Sequence, residues 1–238
     1  MVLTLVAVLQ GASSARADWV FAPFLGHAET HSSTVVLDLP GEGTRLEIAG
    51  VEYRGESFRS PVYYGGRVTW IPDAHPWIGI EGEWIHAKVF AETVRIVHMR
   101  GTLRGAPIDA SLPLETLVQR LSMSHGLNFI LANLAVRREL GPVDSHGIHR
   151  LRAVVRAGAG PMRPHAESDI DHVSRAQYEN GGLGMQVGGG LELLLWRGFG
   201  ALGEYKFTWA SPEIDVAGGH AKVPARSHHF VMGLVYGF

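Results

Sequence analysis

The sequence predicts an all-β fold, an eight-stranded antiparallel up-and-down transmembrane β-barrel. Three observations predict it: strands with one apolar face, long loops that alternate with short turns, and strands long enough to cross a bilayer at a tilt. The last stretch of the chain shows the first observation best. Its large apolar and aromatic side chains share one parity, and small residues take the other: Phe230, Met232, Leu234, Tyr236 and Phe238 against Val231, Gly233, Val235 and Gly237. Alternate side chains of a strand point to opposite faces, so one face suits lipid.

Eight segments show this pattern in order. They are 18–28, 61–71, 77–90, 122–138, 150–162, 181–195, 199–209 and 226–238. Long polar segments join them at one end, with extracellular loops expected at 29–60, 91–121, 163–180 and 211–225, and short periplasmic turns join them at the other. The first loop holds strand-like pieces at 34–39 and 45–53, which predict a hairpin extending the barrel wall. Periodicity leaves 114–121 open between helical turns and the start of a strand.

Composition favours a membrane barrel over a soluble sandwich. Hydrophobic residues make up 46% of the chain and charged residues 18%, which is low for a soluble surface. No apolar run is long enough for a spanning helix, so a membrane protein of this sequence must be a closed barrel. The net charge of −2, without a basic stripe, argues against a nucleic-acid partner.

The N-terminus predicts export. An apolar core at 2–9 precedes Ala15-Arg16-Ala17, which resembles a signal-peptidase site, so residues 1–17 are a predicted signal peptide. The barrel domain would then be 18–238, in the bacterial outer membrane. No Lys or Arg precedes the apolar core, which indicates a misplaced start or a truncated n-region, and the alternative is an N-terminal strand.

Charged residues fall on the parity opposite to the apolar face, as Arg67, Arg152, Glu192, Glu204 and Lys206 show. Inside a narrow barrel they would pair across strands and fill the lumen. The alternative, a small-solute channel, needs a wider lumen than eight strands give.

The chemistry-bearing side chains gather at the ends of strands on the loop side. The candidates for a catalytic role are His86, Lys88, His125, Asn128, His165 and Glu167. His86 and Lys88 share parity with Trp84, which predicts that both face the outer leaflet, where contact with sugar or phosphate is expected. His165 and Glu167 share one face of a strand, which predicts a pair of ligands for a divalent metal. The alternative for each residue is a solvated rim side chain.

Several segments resemble the rhizobial lipid A oxidase family, within the broader porin-like barrels. The likeness covers most of 53–238 and is carried by Gly55-Glu56-Ser57-Phe58, Ser60-Pro61-Val62-Tyr63-Tyr64-Gly65, His86-Ala87-Lys88-Val89, His125-Gly126-Leu127-Asn128, Pro164-His165-Ala166-Glu167 and Gly203-Glu204-Tyr205-Lys206. The loop at 100–119 and the run Arg137-Arg138-Glu139 depart from the family pattern. The resemblance implies an outer-membrane enzyme that oxidises the proximal glucosamine of lipid A to 2-aminogluconate, with oxygen as acceptor and hydrogen peroxide as by-product.

Two functions therefore stand for this sequence. In the enzymatic one, a base such as His86 or His125 takes a proton from the anomeric hydroxyl while a redox centre accepts the electrons. That centre is unidentified, and a divalent metal ion is the simplest expectation. The partner would be lipopolysaccharide or lipid A of the outer leaflet, and we expect a monomer. In the second function, the barrel is non-catalytic and has a structural, adhesive or envelope-interaction role. A separation above about 15 Å among His86, His125 and His165, too far for one small site, would disfavour the enzymatic function.

Overall fold

The computed structural model describes residues 17–144, 149–196 and 198–237. Nineteen strands are described: β1 Ala17–Thr30, β2 Ser33–Leu39, β3 Thr44–Val51, β4 Tyr53–Arg54, β5 Tyr64–Pro72, β6 Ile78–His86, β7 Val89–Ala91, β8 Ile96–Leu103, β9 Ala106–Pro113, β10 Val118–Met123, β11 Phe129–Val143, β12 His149–Pro161, β13 His165–Ile170, β14 Val173–Tyr178, β15 Leu183–Trp196, β16 Phe199–Ala210, β17 Glu213–Val216, β18 Gly219–Lys222 and β19 Ala225–Gly237. Two short 3-10 helices, Pro40–Glu42 and Leu114–Thr116, join some of them.

Eight of these strands close into one antiparallel barrel. Their order around it is β1-β19-β16-β15-β12-β11-β6-β5, and β5 pairs back with β1. Each barrel strand pairs with the next one along the chain, which is the predicted up-and-down topology. Segments 31–63, 87–128, 162–182 and 211–224 leave from one end, here called the loop end, and the short connections lie at the other.

The barrel wall is apolar outside and polar inside. On the last strand Phe230, Met232 and Leu234 are 54%, 73% and 62% exposed, whereas His229 and Val231 are buried. The same parity holds on β6, where Ile80 and Trp84 face outward and Glu81 and Glu83 face inward. An outer apolar band around a closed, polar interior is the architecture of bacterial outer-membrane barrels.

Charged side chains fill the interior in compensating pairs. Arg67 donates to Glu204 at 2.9 Å, and Lys206 contacts Glu83. Nearer the turn end, Arg152 Nη1 lies 3.2 Å from Glu192 Oε2. The predicted cross-strand pairing of these residues is therefore present.

The segments at the loop end form a β-sandwich rather than loops. One sheet has the order β14-β13-β10-β7-β4 and the other β17-β18-β2-β3-β8-β9. The two sheets pack face to face. A narrow apolar gap between them is lined by Leu121 and Ile170 of the first sheet and by Leu37 and Ile48 of the second sheet. The hairpin expected in 29–60 is present as β2 and β3, but it belongs to the six-stranded sheet of the sandwich and does not extend the barrel wall. The expected loops at 91–121, 163–180 and 211–225 contain hairpins as well.

Two predicted strands are each broken in the structure. The stretch 77–90 divides into β6 of the barrel and β7 of the sandwich, and 122–138 begins with the last residues of β10. A turn at 124–128 follows, after which β11 runs on to Val143. The ambiguous segment 114–121 contains both structures, a 3-10 turn and then β10.

Among the described residues, no helix is long and apolar enough to cross a membrane. The predicted signal peptide, apart from Ala17, lies outside the described residues, so that prediction stays a prediction.

Candidate active site at the loop end of the barrel

The turn at 124–128 connects the sandwich to the barrel and is held by the side chain of Asn128. Its amide nitrogen lies 2.9 Å from the carbonyl oxygen of His125 and 3.1 Å from those of Gly126 and Arg163. Gly126 and Asn128 have φ of 88° and 49°, a region that glycine and asparagine tolerate best. The turn is therefore a fixed platform between β10 and β11.

His86 meets this platform from the end of β6. Its Nδ1 lies 2.9 Å from Asn128 Oδ1. The Asn128 nitrogen must face the three carbonyl groups, so Oδ1 is the acceptor and His86 Nδ1 carries the proton. In the neutral ring Nε2 then holds a free lone pair, and among the described residues this buried atom has no hydrogen-bond partner. A buried nitrogen in this state is suited to accept a proton from a ligand.

Next to His86, four side chains converge on one small volume. Ser124 Oγ donates to Glu167 Oε1 and lies 3.0 Å from His125 Nδ1 and 3.4 Å from His165 Nδ1. The two imidazole rings stand edge to face with centroids 4.6 Å apart. The ligand atoms of His125, His165 and Glu167 all lie within 4.8 Å of one another, which makes the three residues a candidate set of ligands for one metal ion.

Glu167 is held as a carboxylate. Partial burial by itself raises its pKa, but the Ser124 hydrogen bond and the positive charge of Arg120 outweigh burial, with smaller contributions from His165 and His125. The net effect is a pKa below the ordinary value. An anionic Glu167 therefore faces the two rings at neutral pH.

An open cleft of about 400 Å³ lies beside the cluster on the outer wall of the barrel. Its lining residues come from the barrel and from the sandwich: Pro61, Tyr64, Trp84, His86, His125, Asn128, Ile130, Arg163 and Tyr178. Trp84 and Ile130 are opposite one another on neighbouring strands and belong to the apolar outer band. The cleft thus opens on the apolar outer wall rather than into the barrel.

Lys88 is not brought to this cleft. Its ammonium donates to the carbonyl oxygen of Arg59 at 2.9 Å and lies 5.6 Å from the ring centroid of Phe90. Burial lowers its pKa, with Glu56 opposing the change. Lys88 is buried, so the expectation that it faces the outer leaflet beside His86 was wrong. It holds the segment before β5 in place.

The other five predicted site residues come together around the cleft: His86, His125, Asn128, His165 and Glu167. The expected outward orientation of His86 is present, since its ring stacks on Tyr64 and contacts Trp84. Ser124 and Arg120 were missed, although Ser124 directly precedes a predicted residue. Arg120 carries no sequence signal, because only strand pairing between β10 and β13 brings it to Glu167.

Histidines also lie in two other regions at the loop end of the barrel, apart from the cluster of His125, His165 and Glu167. A larger groove of about 850 Å³ between the end of β1 and segment 53–59 contains His27 and Glu29, an exposed pair 3.2 Å apart. His228 and His229 lie near the start of the last strand, β19, which pairs with β1 and β16 and not with β6 or β11. His229 is buried against Tyr63 and Thr208, whereas His228 contacts Tyr205 outside.

The sequence matches no known family model and no curated protein. Solved structures with a similar course of the chain include Neisserial surface protein A (NspA), with a TM-score of 0.45 and 12% identity over 93% of this chain and 98% of that one. Outer membrane protein AlkL has a TM-score of 0.42 and 11% identity, covering 96% of this chain and 93% of that one. OprG of Pseudomonas aeruginosa has a TM-score of 0.40 and 12% identity, covering 94% of this chain and 97% of that one. Likenesses this distant carry no inference about what the chain does.

Proposed function

We propose that this chain is an outer-membrane enzyme that oxidises the proximal glucosamine of lipid A to 2-aminogluconate. One observation carries the proposal: the cleft beside the histidine and glutamate cluster opens on the lipid-facing wall, at the loop end of the barrel. A lipid anchored in the outer leaflet can bring its sugar to such a cleft by lateral diffusion. A soluble substrate would need no opening beside Trp84 and Ile130.

The cleft offers groups suited to a phosphorylated or sugar headgroup. Arg163 contributes a guanidinium that can bind a phosphate through two hydrogen bonds. Tyr64 and Trp84 present aromatic rings, which are common at the level of lipid headgroups. The acyl chains of the same lipid would lie along the apolar wall below.

The reaction balances as a two-electron oxidation. The anomeric carbon loses its hydrogen and the anomeric hydroxyl its proton, which turns the sugar hemiacetal into a lactone. The two electrons and two protons reduce O₂ to hydrogen peroxide, and water then opens the lactone to the acid. In this scheme His86 Nε2 takes the hydroxyl proton once the Tyr64 ring that stacks on it moves aside.

Mass spectrometry of lipid A tests the proposal. Cells that make the substrate are compared with and without the gene, and wild type is expected to convert lipid A to a form one oxygen atom heavier. The variant His86→Ala should lower conversion by roughly 100-fold or more, the usual contribution of a general base. His98→Ala is the matched control, because His98 is an exposed histidine paired with Asp109 on the sandwich.

Lipid A that is unchanged in cells with correctly folded protein would overturn the enzymatic proposal. Conversion by His86→Ala at the wild-type rate would remove His86 from the reaction. Hydrogen peroxide release from purified protein and lipid A gives an independent readout.

A further inference from the structure

Two imidazoles and one carboxylate stand at the edge of the cleft, close to the geometry of a metal centre. Glu167 Oε1 lies 3.7 Å from His125 Nδ1 and 3.7 Å from His165 Nδ1. An ion with the usual bond lengths to nitrogen and oxygen places neighbouring ligand atoms roughly 2.9–3.5 Å apart. Small side-chain rotations therefore bring the three atoms onto one ion.

Nδ1 of both rings and Oε1 of Glu167 surround one small volume, which the Ser124 hydroxyl occupies and from which it would move aside for an ion. Ser124 Oγ sits among them and donates its hydrogen to Glu167. A hydroxyl has a single hydrogen, so without a metal each ring donates its Nδ1 hydrogen to this oxygen. Metal binding requires the tautomer with the proton on Nε2, which frees Nδ1 of both rings. Two ring nitrogens and a carboxylate oxygen directed at the same volume are the donor set that a divalent cation needs.

Partners outside the cluster fix the orientation of each ligand. Arg120 Nη1 lies 2.9 Å from Glu167 Oε2, which leaves Oε1 turned toward the rings. His165 packs against Tyr178 with ring centroids 4.7 Å apart. Asn128 holds the backbone of His125. Supporting contacts of this kind orient metal ligands and maintain affinity.

We propose that His125, His165 and Glu167 form a metal centre that binds a redox-active divalent cation of the Fe(II) class. Two histidines and one carboxylate on one side of an ion leave positions open for oxygen and substrate, as in non-haem iron enzymes that use O₂. The same ligands would also suit Zn(II), which does no redox chemistry. The choice of a redox metal rests on the proposed function, because that reaction must pass two electrons to oxygen. Metal binding itself does not depend on it.

Metal titration of the purified full chain tests the site directly. The protein in detergent is stripped with a chelator and titrated with Mn(II), a stand-in for Fe(II) that electron paramagnetic resonance counts. Anaerobic Fe(II) is titrated in parallel. We expect one ion per chain in wild type and at least 100-fold weaker binding in His165→Ala and Glu167→Gln. The control His98→Ala removes a histidine whose Nε2 lies 3.1 Å from an Asp109 oxygen and should bind like wild type.

Faster migration of unheated samples on gels confirms that each variant has folded as a barrel. Stoichiometric binding retained in Glu167→Gln and His165→Ala, or no saturable binding by folded wild type, would overturn the metal centre. His125→Ala gives a further check, since its exposed side chain can be removed without disturbing the barrel.

Lipid A assays after reloading with Fe(II) or Zn(II) separate the two proposals. Tight binding that depends on the three ligands, with lipid A unchanged, sustains the metal centre and overturns the proposed function. Oxidation that persists in Glu167→Gln after metal binding is lost sustains the function and overturns the role of the metal. Equal recovery with Zn(II) and Fe(II) would overturn the redox assignment.

Discussion

Asn128 shows how much of the site depends on one side chain. Its φ of 49° is sparsely populated, and its amide group satisfies carbonyl oxygens from two separate segments. Replacement by Ala keeps the strained backbone and leaves those carbonyl groups without their donor, which should cost about 1–3 kcal/mol locally. Hydrogen exchange of the Leu127 amide, bonded to Ala87 O at 2.7 Å, should accelerate by roughly tenfold or more.

Asn128→Gly is the matched variant, because glycine accepts this φ and loses only the side-chain bonds. It should exchange faster than wild type but more slowly than Asn128→Ala. Wild-type exchange in both variants would contradict a positioning role for Asn128.

At the same scale, sequence reasoning found residues but not their roles. The order of strands, loops and turns placed His86 and His165 at the loop end of the barrel, and parity placed His86 on the outer face, because parity is a local property. The roles of Ser124 and Asn128 depend on contacts to residues 35 or more positions away along the chain, such as Arg163 and Glu167. Nothing near 124–128 in the sequence indicates those partners.

Among the barrel strands, β5 leaves room at Gly65 for the ring of Phe24, which is buried inside the barrel. A Cβ atom at Gly65 would lie 2.4 Å from the Phe24 ring. Gly65→Val should therefore overpack the interior and destabilise the barrel by about 1–3 kcal/mol or more. The control is Gly82→Val, since a Cβ there meets nothing within 4 Å. The folded fraction on unheated gels should fall for the first variant and stay at the wild-type level for the second, and equal values would contradict this packing.

Element boundaries show where local pattern is insufficient. The stretch 122–138 was predicted as one strand from the alternation at 130–136, but residues 124–128 form a turn in which Gly126 and Asn128 have positive φ. The hairpin of β13 and β14 was predicted as a loop because its sequence is polar. Its apolar residues, such as Ala166 and Ile170, gain a core only when the opposite sheet covers them. Of the four separate segments that form the sandwich, 29–60 alone was predicted to hold a hairpin.

For the whole molecule, the polar interior balances its charges. Three cations lie beside three carboxylates in the middle of the barrel: Arg67, Arg156 and Lys206 with Glu81, Glu83 and Glu204. Parity predicted that such residues face inward, but the pairing follows from the register of strands far apart in sequence, such as β6 and β16. The filled interior supports the end of the barrel from which the site is built.

Lys206 is the residue whose loss tests this balance. It is fully buried and contacts Glu83, whose other partners are Arg67 at 3.8 Å and the amide groups of Asn133 and Gln186. Lys206→Met should destabilise the barrel by about 3–5 kcal/mol, because it leaves a buried carboxylate short of positive charge. The double variant Lys206→Met with Glu83→Gln removes both charges and should recover much of that loss. Urea unfolding in lipid vesicles, followed by tryptophan fluorescence, measures both. A single variant as stable as wild type would mean that the remaining cations already neutralise Glu83.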